Sequence, residues 1–243
     1  MLAFPAAAVV KFLVLALFYG DYPQLARRCA HSLRALWKTD RVDMLLGLNE
    51  VSLRSQAVIA ELLPDVPVER ADPQIYKCPM MRRLLKGYDG NATHMMWFDD
   101  DSCLLPGVNA RAWLQALSER CETLQGSLGS LYEQALSPAQ SEWVQQQPWF
   151  TGREIPEKTL FTTGGWKVVP LSLMRRFDWP GDGLGHNGSD LVLGALLHQQ
   201  GLVPEQFRVG LAINADESLH ESAAPRRGYV ESPVMAIWGT DTA

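Results

Sequence analysis

The sequence predicts an α/β protein in which an open, mostly parallel sheet is flanked by helices within a single domain. Three observations carry that expectation. Strand-length apolar runs alternate three times in succession with segments of helical spacing, the signature of βαβ units. Each run closes on a turn rich in Gly, Pro, Asp or Asn. A fourth run, Thr93 to Phe98, ends abruptly on the carboxylates Asp99, Asp100 and Asp101. Adjoining charges at the end of a buried strand repel one another and lose solvation unless a cation or a strong donor compensates them.

A chain of 243 residues is long enough to bury a sizeable core, and 47% hydrophobic with 20% charged residues is the balance of an ordinary globular protein. The net charge of −5 argues against indiscriminate nucleic-acid binding. Four cysteines, Cys29, Cys78, Cys103 and Cys121, are widely separated and lack zinc-type spacing, so buried reduced thiols and a cytoplasmic location are expected. The apolar N-terminus is interrupted by Lys11. Its uncharged run, Phe12 to Tyr19, falls far short of the roughly 20 residues that span a bilayer. A core strand and a soluble protein are the expectation there.

In chain order, the apolar run from Val9 to Phe18 reads as a strand covered on both faces. Tyr19-Gly20-Asp21-Tyr22-Pro23 then turns into a helix, Gln24 to Trp37, with Leu25, Cys29, Leu33 and Leu36 on one face. A second strand, Val42 to Leu48, closes on Asn49-Glu50, and Ser52 to Leu63 is a helix stopped by Pro64. Pro67 to Ala71 is a short third strand, and Tyr76 to Tyr88 a helix with a basic face of Lys77, Arg82, Arg83 and Lys86. The triplet follows at the end of the fourth strand. In such sheets ligands bind in the crevice beyond the strands' carboxyl ends, which is also where Tyr19 to Asp21 and Asn49 to Glu50 fall.

The second half is less regular. Val108 to Arg120 reads as a helix, Glu122 to Leu136 is ambiguous between helix and strand, and Ser137 to Thr163, with Trp143, Trp149 and Phe150, reads as an irregular segment. A Gly164-Gly165-Trp166 turn leads into a short strand, Lys167 to Val169, and a helix, Leu171 to Phe177. A glycine-rich loop delivers Ser189-Asp190 to the start of a helix, Leu191 to Gln200, where either residue has the character of a cap. Phe207 to Ile213 is expected as a last strand, followed by a polar stretch with His220.

This order of features resembles the nucleotide-sugar glycosyltransferases of the GT-A fold, the family 2 group in particular, from about Val10 to about His220. The resemblance rests on the Tyr19-to-Pro23 turn, the Asn49-Glu50 pair, the basic helix, Asp99-Asp100-Asp101 in place of a D-x-D motif, the Gly-Gly-Trp segment, and Ser189-Asp190 where the family shows Glu-Asp. It implies a donor-binding half over 1–104 and an acceptor-binding, catalytic half over 105–243. It further implies that Asp99 and Asp101 hold Mn²⁺ or Mg²⁺ with His220, that Asp99 also reaches the donor, and that Tyr19, Asp21, Glu50, Lys77 and Arg82 contact the nucleotide or its diphosphate. Asp190 would be the base of an inverting transfer, with Asp182 as the alternative carboxylate, and Asp100 a structural acceptor. His186 is a rival metal ligand; His31, His94 and His198 read as structural.

The implied chemistry wants these residue types. Cleaving a sugar-phosphate bond leaves a diphosphate with growing negative charge, which a divalent ion bound by hard carboxylate oxygens stabilises. The attacking hydroxyl must lose its proton to a base. A UDP-sugar is the favoured donor, with GDP- and dTDP-sugars as alternatives. A glycan, a small molecule or a modified DNA base could each serve as acceptor. A nucleotidyltransferase of related fold and a non-catalytic nucleotide-sugar-binding module are the competing functions, and a solvated acidic turn is the plain alternative for the triplet.

Overall fold

In a computed structural model, the described residues are 10–181, 183–184, 188–213 and 237. In chain order the elements are β1 (Phe12–Gly20), α1 (Pro23–Trp37), β2 (Val42–Val51), α2 (Leu53–Leu62), β3 (Val68–Ala71), α3 (Lys77–Lys86), β4 (His94–Asp99) and β5 (Cys103–Leu104). They continue as α4 (Ala110–Cys121), β6 (Leu128–Gln134), α5 (Pro138–Gln145), β7 (Thr159–Pro170), α6 (Leu171–Phe177), α7 (Ser189–Gln199), β8 (Glu205–Gln206) and β9 (Leu211–Ala212).

Seven strands form one sheet in the order β3-β2-β1-β4-β7-β6-β8. The first four are mutually parallel, β7 is antiparallel to both β4 and β6, and β8 is parallel to β6. The mostly parallel α/β sheet expected from the alternating pattern is therefore present. β5 and β9 pair separately as a two-stranded ribbon.

Residue alternation splits the core across the two sheet faces. Val14, Ala16, Met96, Phe98, Trp166 and Val168 face one cluster, which α1, α2 and α4 cover. Leu13, Leu15, Met95, Trp97 and Val169 face the other, which α3, α6 and α7 cover. Because β1 is sandwiched, its residues from Phe12 to Phe18 are almost fully buried, the physical reason its run is apolar without alternation. Each such Leu or Phe contributes roughly 1.5–3 kcal/mol by leaving water.

Local signals set the helix starts. Pro23 occupies the first turn of α1, and the Ser52 hydroxyl accepts from the Ser55 amide at 3.2 Å to cap α2. No described helix is long and apolar enough to cross a membrane.

Three expectations about the second half are corrected, and one ambiguity is resolved. The segment Ser137 to Thr163 is not irregular throughout: Ser137 and Gln140 form a reciprocal capping box that starts α5. Gly164-Gly165-Trp166 is not a turn before a short strand but the middle of the twelve-residue β7. β7 pairs with β4 from Trp166 onward and with β6 on either side of the glycines, and the Gly164 carbonyl accepts from Lys77. The ambiguous stretch, Glu122 to Leu136, begins just after α4 and resolves into a connection and strand β6. Phe207 to Ile213 is not one strand: it holds only β9, in the small ribbon, and follows the separate β8 at the main sheet's edge.

Candidate functional site

The three parallel strands β1, β2 and β3 end around a cavity of about 480 Å³. Tyr19, Asp21, Glu50 and Arg70 line it, so the strand-end residues singled out in the sequence are brought together. Gly20, at φ +69°, makes the bend that carries the chain from β1 around the cavity. Glu50 also has a positive φ, +54°, which an L-residue adopts at some cost. Asp21 is held by the Ser52 hydroxyl at 2.5 Å and by Arg54 at 3.4 Å. Tyr19 stacks edge-on against Tyr22.

Asp99 is the last residue of β4 and shares the Trp97 face of the sheet. Both of its carboxylate oxygens are engaged: Oδ1 accepts from the Trp97 indole at 2.7 Å, and Oδ2 from the Lys77 ammonium at 2.8 Å. Lys77, the first residue of α3, is only 5% exposed, and it also donates to the Gly164 carbonyl at 2.8 Å. Burial pulls its ammonium pKa down, but the Asp99 carboxylate and then Asp190 outweigh that, leaving it above the ordinary lysine value.

Asp100 and Asp101 lie in the turn after β4, both buried. They face α1: burial first, then Asp100 among the neighbouring charges, raises the Cys29 thiol well above its usual range. The plain reading of the triplet as a solvated turn is thereby excluded.

Asp190 sits in the first turn of α7 and does not cap it; Gly188 is the N-cap and brings no capping side chain. Instead its Oδ1 accepts a hydrogen bond from Lys167, a β7 lysine with 1% side-chain exposure. Burial lowers the Lys167 ammonium below the ordinary lysine value, and Asp190 restores only part of that.

Gly164 joins the two pairs. A Cβ there would lie 2.5 Å from Asp190 Oδ2 and 3.0 Å from Lys77 Nζ. Two lysines and two aspartates therefore meet around one bare backbone position, on strands and helices from both halves of the sheet. Removing one partner of such a buried pair typically costs about 3–5 kcal/mol.

Other expected residues lie elsewhere. Arg82 binds the Asp178 carboxylate at 2.8 Å and the Pro180 carbonyl at 2.7 Å, between α3 and α6. His220, His186 and Asp182 lie outside the described residues. Among the described residues no three His, Cys, Asp or Glu side chains form a ready-made metal cage. Hard carboxylate oxygens at a strand end nevertheless suit Mg²⁺ or Mn²⁺, which commonly take one or two carboxylates and complete their sphere with diphosphate oxygens and water. Sequence reading missed Lys167 entirely. Its single charge in an apolar strand was the available signal, since a lysine on a buried strand needs an internal partner.

The fold is that of GT-A-type glycosyltransferases. Two solved structures carry the likeness. One is TarS of S. aureus, at a TM-score of 0.56 and 11% identity over 85% of this chain and 37% of that one. The other is the mannosyltransferase PcManGT from Pyrobaculum calidifontis, solved with GDP-Man and Mn²⁺, at a TM-score of 0.51 and 12% identity over 82% of this chain and 55% of that one. The chain thus spans less than two thirds of either neighbour. No protein-family model matches the sequence, and no curated protein does.

Proposed function

We propose that the chain is a metal-dependent glycosyltransferase that moves a sugar from a nucleoside-diphosphate sugar to an acceptor hydroxyl, with inversion. The observation that carries this reading is the convergence on Gly164 of a carboxylate-bearing strand end, through Lys77, and a second carboxylate on a helix start. In this reading residues 1–104 bind the donor and 105–243 bind the acceptor and supply the base. Tyr19, Asp21 and Glu50 hold the nucleoside in the cavity they line. Asp99 and Asp101 would hold Mn²⁺ or Mg²⁺, whose chemistry there is charge stabilisation at the departing diphosphate. Lys77 places a fixed positive charge beside that phosphate position and keeps Asp99 oriented. Arg82 serves the site indirectly, by fixing the segment from Asp178 to Pro180. Asp190 takes the acceptor proton as the acceptor oxygen attacks the anomeric carbon.

The reading is tested by thermal shift with UDP-, GDP- and dTDP-sugars, each with Mn²⁺ or Mg²⁺. A stabilisation that needs both metal and one nucleotide is expected, since ligand at about 100 times its Kd adds about 2.7 kcal/mol. Asp101→Ala should abolish both the shift and donor hydrolysis. Asp190→Asn should keep the shift and lose turnover by about 10²-fold or more. No shift with any pair would overturn the metal-diphosphate reading. A shift without any hydrolysis would leave a binding module instead.

A further inference from the structure

We propose that Lys167 is a positioning residue for the transfer: it holds Asp190 by Oδ1, so that Oδ2, beside the side-chain-free Gly164, is the oxygen that receives the acceptor's proton. This rests on the transferase reading above and specifies how its base is built. Three features on different elements support it. Lys167 lies on β7 in register with Trp97 of β4, two residues before Asp99, which puts the lysine that holds the base and the donor carboxylate on adjoining strands of one face. Its ammonium is held in place by Asp190 and by the Trp179 ring, whose centroid is 5.7 Å away. Gly164 leaves open the space beside Asp190 Oδ2 that any Cβ would occupy at 2.5 Å. An aspartate carboxylate left unanchored rotates about its terminal torsion. A buried lysine bonded to one oxygen removes that freedom and makes the two oxygens inequivalent.

The step balances simply. The acceptor oxygen forms a bond to the anomeric carbon, whose bond to the diphosphate breaks with the electron pair leaving on phosphate oxygen. The proton from the acceptor hydroxyl passes to Asp190 Oδ2, and Lys167 keeps its own protons throughout.

The arrangement also predicts a pH signature. Among the described residues, the charged and titratable groups facing Lys167 are Asp190 on α7, Lys77 and Cys78 on α3 and Asp99 on β4. Burial lowers the Lys167 ammonium, whereas Asp99 leaves Lys77 raised and burial pushes the Cys78 thiol up to about 11. As pH rises, Lys167 is thus the first of these cations to lose its charge and release Asp190, so it sets the alkaline limb of turnover. An arginine in its place stays charged.

The experiment follows donor hydrolysis, with water as acceptor, by the full chain with UDP-glucose and with GDP-mannose in Mn²⁺, alongside calorimetric donor binding. For Lys167→Met, kcat should fall by about 10²-fold while donor Kd stays within about twofold, the split expected of lost orientation rather than lost binding. Lys167→Arg should recover part of kcat and move the alkaline limb to higher pH. Lys167→Met with near wild-type kcat, or an alkaline limb unmoved in Lys167→Arg, would refute the positioning role. If Lys167→Met does not fold, the alkaline limb of Lys167→Arg decides alone. A wild-type chain that neither binds nor hydrolyses either donor refutes the transferase reading itself, and the positioning role with it.

Discussion

At Gly164 a single missing carbon separates stability from function. Its would-be neighbours, Asp190 Oδ2 and Lys77 Nζ, are the ends of side chains rather than backbone, so Gly164→Ala is expected to fold at a cost of about 1–2 kcal/mol. On the proposed transferase reading turnover should suffer far more, by about 10-fold or more, because the added methyl would occupy the place of the reacting hydroxyl. Denaturant unfolding and donor hydrolysis on the same preparation check both halves of that expectation. His94 gives a second residue-scale prediction. It starts β4 with Nδ1 2.9 Å from the Thr93 hydroxyl and Nε2 buried without a partner among the described residues. Burial lowers its pKa to about 4. The folded value lies below the unfolded one of about 6.5, so protons favour the unfolded chain, and stability complete above pH 6.5 is lost as pH falls towards 4. Unfolding free energies at pH 7 and 4.5 should therefore converge by roughly 2–3 kcal/mol in His94→Met relative to wild type.

Elements differ in how plainly their residues announce them. α5 depends on its capping box, so Ser137→Ala should cost about 1 kcal/mol, read as a shift of the denaturation midpoint. The parallel half was legible because a strand buried on both faces must be apolar, and β1, Met44 to Leu48 of β2 and Met95 to Phe98 of β4 are. The strand-end cavity followed from that half, as did the place of Asp99 at the end of β4. β7 was not legible: Thr162, Thr163, Gly164 and Gly165 carry the composition of a turn, and only the pairing with strands distant in sequence makes them extended. Gly164 is there because two charged side chains need its space, a reason no local pattern contains. For the same cause the pairing of Asp190 with Lys167 could not be read from the chain, although Asp190 itself was marked by its place at a helix start. The cap reading of that residue failed because Gly188 takes the N-cap position.

For the molecule as a whole, the parallel strands β3, β2, β1 and β4 are joined to the rest of the sheet where β4 lies against β7. Trp166 anchors that seam on the face opposite the lysines, fully buried and in edge contact with Phe98 and Trp113. Trp166→Ala is expected to cost about 3–5 kcal/mol and to weaken donor stabilisation and turnover together, measurable by thermal unfolding with and without donor. The distribution of thiols offers a way to watch that seam open. All four cysteines are free and buried, and burial raises every one of their thiol pKa values. Two, Cys29 and Cys121, lie in the core on Trp166's face, and Cys78 lies across the sheet beside the lysines. A short pulse of thiol-modifying reagent should leave the native protein unlabelled. The order in which Cys78 and Cys121 become labelled in rising denaturant would then report whether the two sides of the sheet come apart in one event or in sequence.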